Sequence, residues 1–110
     1  MYFKLFIILI VSDDEIKNYI IEFIFNDRVL DSIGRENVGM WMPFVESKIN
    51  NIVNVTKNLD VNVRSKVLGV VATKIQKLIL GINDAVRSNY AKGEDEILRS
   101  IINLLSRGML

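Results

Sequence analysis

The chain has 110 residues, half of them hydrophobic and a quarter charged, with a formal net charge of +1, no Cys and no His. That size suits one domain, and the apolar content is too high for a disordered tail. Without Cys or His there is no disulfide scaffold, no thiolate zinc site and no imidazole acid–base catalyst, and near-neutrality gives no reason to expect nucleic acid or an anionic membrane as partner.

The first element is an apolar leader. Lys4 is followed by seven apolar residues, Leu5 to Val11, and Ser12 then gives way to Asp13-Asp14-Glu15. A basic start, a short apolar run and a small residue before polar sequence outline a secretory signal peptide. The run is too short to span a bilayer, which takes about 20 apolar residues. The expected organisation is a signal peptide over 1–12 and a domain over 13–110, secreted to the extracellular space. If the run is instead a buried first element, the alternative location is cytoplasmic. Secretion would also make Asn54, in Asn54-Val55-Thr56, an acceptor for N-glycosylation.

The rest reads as helix. Ile16, Tyr19, Ile20, Phe23 and Ile24 recur at three and four, with three acids at the positive end of the helix dipole. A break is expected from Asp31 to Gly39. Val45, Ile49, Ile52 and Val53 mark a second helix, with Pro43 in its first turn and an end near Asn58. Asp60 or Asn62 supplies the cap of the third. In that helix Val63, Val67, Val70, Val71, Ile75, Leu78, Ile79 and Ile82 predict one continuous apolar face, which either runs through Gly81 or breaks there. After Gly93, Glu94-Asp95-Glu96 opens a last helix, whose apolar face is Ile97, Leu98, Ile101, Ile102, Leu104 and Leu105, with Arg107-Gly108 as its stop. No strand alternation persists. The fold class expected is all-α, a single bundle of four to five helices.

No catalytic constellation stands out: there is no Gly-rich phosphate loop and no nucleophile elbow, so no enzyme activity and no cofactor are expected. The acids at 94–96 lack the glycine and spacing of a calcium loop, and no metal site is assigned. Met40, Trp41 and Phe44 are a candidate hydrophobic contact patch, for a second subunit or for an apolar small molecule held between helices. The charge distribution is uneven. Residues 13–46 carry eight acids and three bases, and residues 47–110 carry ten bases and five acids. Opposed poles steer antiparallel pairing of two copies, so a homo-oligomer, most simply a dimer, is the expected partner state. With no His, any pH response of that pairing falls to carboxylates, for which Asp27, Asp31 and Glu36 near the first break are the candidates.

The segment Arg99-Ser100-Ile101-Ile102-Asn103-Leu104-Leu105, preceded by Glu96 and Ile97, resembles the closing helix of spider-silk protein (spidroin) N-terminal domains. The order of elements is also similar. That resemblance implies a secreted five-helix bundle that dimerises antiparallel as pH falls, using acidic and basic poles. An intracellular helical interaction domain is the reading if the leader is not cleaved.

Overall fold

The computed structural model describes residues 12–89 and 94–107 of the chain. Among these residues the protein is all-α, without strands: α1 (Asp13–Ile24), α2 (Asp27–Ile33), a 3₁₀ turn (Arg35–Asn37), α3 (Val38–Val55), α4 (Val61–Asn89) and α5 (Glu94–Ser106). The expected leader lies outside the described residues, except for Ser12. Gly93 and Gly108, expected as helix stops, lie outside them too.

Each start has a local cause. The Ser12 Oγ accepts the Glu15 backbone N–H at 3.2 Å, and its hydroxyl faces the Glu15 carboxylate at 3.4 Å. The first contact is the N-cap half of a capping box, and three acids stand in the first turn. Asn26 Oδ1 accepts from the Val29 N–H at 3.0 Å and restarts the chain as α2 after a short interruption. Asp60 Oδ2 accepts from the N–H groups of Asn62 and Val63, so Asp60 and not Asn62 caps α4. The anticipated break narrows to Gly34, which ends α2 with φ +87°, a region costly to side-chain-bearing residues. A Cβ placed there would also stand 2.7 Å from a Glu36 carboxylate oxygen. Asn37 Nδ2 donates to the Ile33 carbonyl at 2.8 Å and ties the two sides of this turn together.

One boundary differs from expectation, and one open alternative is decided. Helix α3 begins at Val38, so Pro43 falls inside it rather than in its first turn and forfeits one backbone hydrogen bond. Helix α4 passes Gly81 unbroken, and Gly81 is exposed, with open space where a Cβ would stand.

In the packing, α3 lies against α1 and α5, and α4 against α1, α2 and α5. Trp41, Phe44, Ile16, Ile20, Ile24, Ile33, Ile49 and Ile79 are among the fully enclosed side chains. The face that α4 buries keeps part of the expected one, Ile75 and Ile79, and departs from it elsewhere. Leu68, Ala72, Ile75, Ile79 and Val86 point inward together with Arg64, Ser65 and Asn83, while Val63, Val70 and Leu78 are exposed. At four places a residue one position later than anticipated is buried, 64, 68, 72 and 83, while 67, 71 and 82 are half-buried and 63 is exposed.

The cause is polar. The last turns of α1 and α3 carry no basic residue, and neither does that of α2, so their terminal carbonyls lack a local cation. Helix α4 supplies donors from across the core. Gln76 Nε2 donates to the Phe23 and Ile24 carbonyls at 2.8 and 3.2 Å, Asn83 Nδ2 to Ser32 at 3.1 Å, and Arg64 Nη2 to Val53 at 3.0 Å. Three donors on one helix satisfy the ends of the three helices before it.

Two glycine substitutions test this backbone description. Gly81→Ala is expected to stabilise by about 0.5–1 kcal/mol, raising Tm by a few degrees in thermal unfolding. Gly34→Ala is expected to destabilise by about 1–2 kcal/mol in the same measurement.

Candidate functional site

The surface features of interest lie on the α3–α4 hairpin. Arg64 reaches the last turn of α3, while Phe44 and Leu78 border one cleft, so the two helices run antiparallel. Position 44 together with 48, 51, 52 and 55 makes one face of α3, at helical spacing. Positions 67, 71, 74, 75 and 78 make the facing strip of α4. Between them, and closed at one side by Leu105 of α5, is a cleft of about 260 Å³. Its floor is enclosed: Phe44, Ile75 and Leu105 are 1%, 6% and 4% exposed. Ile52, Val71 and Leu78 form apolar walls, and Lys48, Asn51 and Lys74 are the polar residues of the lining. Among the described residues no carboxylate lines it.

The apolar surface continues beyond the cleft. Val63 and Val70 on α4 are 47% and 52% exposed, and Val55 and Leu59 flank the α3–α4 connection at 62% and 43%. Val67, between Val63 and Val70 on the same face, is half-buried. Rotation of α4 to present Arg64, Gln76 and Asn83 inward is what leaves this strip outside.

The Met–aromatic cluster is divided by the fold. Trp41 is fully enclosed and meets Phe44 edge-on, with ring centroids 6.4 Å apart at 61°. Its Nε1 meets no acceptor among the described residues, so the ring contributes area and shape rather than a polar contact. Phe44 is the floor of the apolar cleft. Met40, half-buried, borders a different and larger cleft of about 420 Å³, together with Glu36, Asn37, Pro43, Arg99 and Asn103. That cleft holds charges of both signs and selects neither.

The three carboxylate candidates near the first break also separate. Asp31 Oδ1 and Asp27 Oδ1 accept from the two terminal nitrogens of Arg35, at 2.6 and 3.2 Å. These ion pairs are exposed, and the hydrogen bond that Arg35 donates to Asp31, then the Asp31 charge, raise the Arg35 pKa above its ordinary value. Glu36 stands apart from them, at the mixed cleft. Asn54 is exposed in the last turn of α3, while the Thr56 hydroxyl donates to the Ile52 carbonyl at 2.6 Å and accepts from Arg64 Nε at 3.3 Å.

The fold also forms a charge contact between the acidic and basic parts of the chain that helical spacing does not predict. Asp13 in the first turn of α1 pairs with Lys57 at 3.3 Å and with Arg64 at 3.5 Å. Arg64 is buried and holds three partners at once: Asp13, the Val53 carbonyl and the Thr56 hydroxyl. Burial pushes the Asp13 carboxyl up, but the hydrogen bond and charge of Lys57, with those of Arg64, outweigh it and hold the pKa below its ordinary 3.8. Asp13 and Arg64 are 51 positions apart, and nothing in linear spacing joins them.

Among the described residues no group of acidic side chains could hold a metal ion, and no helix is long and apolar enough to cross a membrane. Compared with known protein families, curated proteins and solved structures, the chain matches none.

The Asp13 contact gives a pH-dependent stability contribution with a definite sign. A carboxyl depressed in the folded state stabilises in full above its unfolded pKa, and that contribution is lost as pH falls through the lower folded value. Asp13→Asn is therefore expected to lower Tm at pH 7, with the gap to the parent closing as pH falls below 3.8. Parallel thermal melts of the two proteins from about pH 7 to about pH 2.5 check it.

Proposed function

We propose that this protein is a helical association domain, in which one bundle of helices pairs with a second copy of itself. The observation that carries the reading is the apolar strip left outside on α4: Val63 and Val70 are about half exposed, and Val55 and Leu59 extend it at the hairpin end. A small domain gains little from holding such residues in water, and contiguous exposed apolar surface marks interaction sites. The uneven charge adds orientation. The excess of acids in residues 13–46 and of bases in residues 47–110 favours antiparallel approach of two copies. Secretion as a silk-type terminal domain, with pairing favoured in mild acid, accords with the resemblance of the last helix to spidroin N-terminal domains.

Size measurement by light scattering, across protein concentration, salt and pH, tests this directly. A concentration-dependent dimer is expected, weaker at high salt because opposed poles are screened. Val70→Asn places an uncharged polar amide in the strip and is expected to raise the dimer Kd by about tenfold, leaving the helical content unchanged. A monomer at every concentration, salt and pH would remove the proposal.

A further inference from the structure

We propose that the cleft over α3, α4 and α5 is a binding site for a single-chain amphiphilic anion: an alkyl tail on the apolar floor and an anionic head between Lys48 and Lys74. The volume sets the tail. At ~30 Å³ for each water-sized occupant, about 260 Å³ holds on the order of nine heavy atoms, which corresponds to a medium-length alkyl chain. The half-buried side chains of Ile52 and Val71, backed by buried Phe44, Ile75 and Leu105, offer that chain an apolar contact surface, and Leu78 at 41% exposure forms an open rim along which a longer chain can extend. The lining sets the sign of the head. Among the described residues it contains two ammonium groups and no carboxylate. Neither Lys48 nor Lys74 forms an ion pair among the described residues, whereas the cations Lys17, Arg35, Lys57 and Arg64 do. Lysine suits this geometry, since its methylene stem lies along apolar surface and its charge stays at the rim. Asn51 adds an amide at the same border.

The larger cleft is a weaker candidate for the same ligand, because Glu36 stands in its lining beside Arg99. Trp41 provides a built-in reporter. It is the only Trp, and its ring contacts the edge of Phe44, the floor residue. The occupant is a free amphiphile rather than a bilayer surface, because a cleft of about 260 Å³ has room for a single chain. The site does not depend on the pairing proposed above, which rests on Val63 and Val70 farther along α4.

Titration of the full chain with decanoate, followed by calorimetry and Trp41 fluorescence, tests the assignment. Saturable one-to-one binding with a change in Trp41 emission is expected. Decyltrimethylammonium, with the same tail and the opposite charge, is expected to bind at least about tenfold more weakly. The double variant Lys48→Gln/Lys74→Gln is expected to weaken decanoate binding about tenfold, the worth of two partly exposed ion pairs, with unchanged Tm and helicity. Leu78→Trp, at the exposed rim, is expected to fill the cleft and abolish binding without unfolding the domain. Equal binding of the two amphiphiles, or no loss in the double variant, overturns the proposal. So does lysine-dependent binding to phosphatidylglycerol vesicles without binding of free decanoate. If Leu78→Trp shifts the dimer equilibrium and decanoate leaves both protein forms untouched, the cleft belongs to the second copy and the ligand site is refuted while the pairing stands.

Discussion

The ends of α1, α2 and α3 each expose backbone carbonyls that no local cation neutralises, and α4 answers all three. A helix leaves four carbonyls without intrahelical partners at its C-terminus, at the negative end of its dipole. Here Gln76, Asn83 and Arg64 are spaced along 29 residues of one helix so that each meets a different terminus. These donors are buried or half-buried, and an unmade hydrogen bond there would leave the carbonyl's desolvation uncompensated, at roughly 1–3 kcal/mol. The contacts therefore fix both the axial position and the rotation of α4. Arg64 adds a charge to the same scheme and draws Asp13 toward the α3–α4 connection.

That rotation determines the surface. With Arg64, Leu68, Ala72, Ile75, Ile79 and Asn83 inside, Val63 and Val70 are left outside and Val67 and Val71 are half-buried. A helix whose apolar residues cover more than half its circumference cannot bury them all against a single set of neighbours. The polar constraint chose which part went inside. The exposed strip and the apolar cleft are thus two consequences of one decision, and both proposals about binding depend on it. The strip presents branched side chains to a broad surface, while the cleft has an enclosed floor and a basic rim. They differ in the kind of occupant they suit.

Charge follows a similar division between overall arrangement and local contact. The excess of acids before residue 47 and of bases after it is a property of the chain, but the folded molecule consumes part of it internally. Asp13 is matched by Lys57 and Arg64 from the basic part, and Asp27 and Asp31 by Arg35 from their own part. What remains for a partner is therefore smaller than the formal difference. Lys48 and Lys74 keep their charge available beside an apolar cleft, where low local polarity strengthens attraction to an anion.

Hydrophobic periodicity marks every helix except the seven-residue α2, whose apolar positions are too few to set a period and which merges with the expected break. Capping chemistry is readable where it is local: acids in the first turn of α1, and Asp60 as one of two candidates for the start of α4. Met40, Trp41 and Phe44 are legible as a cluster because they are close in the chain, but neighbouring helical positions point in different directions, and the fold sends them to one cleft, the core and another cleft. The sequence by itself determined an all-α chain with an uneven charge and more apolar helix surface than a small core needs. Only the tertiary structure decided which face of α4 is inside, which lysines border an apolar cleft, and which carboxylates are matched. The physical reason is that carbonyls at residues 23, 24, 32 and 53 acquire their donors from residues 11 to 53 positions away, and hydrophobic period carries no record of partners so distant.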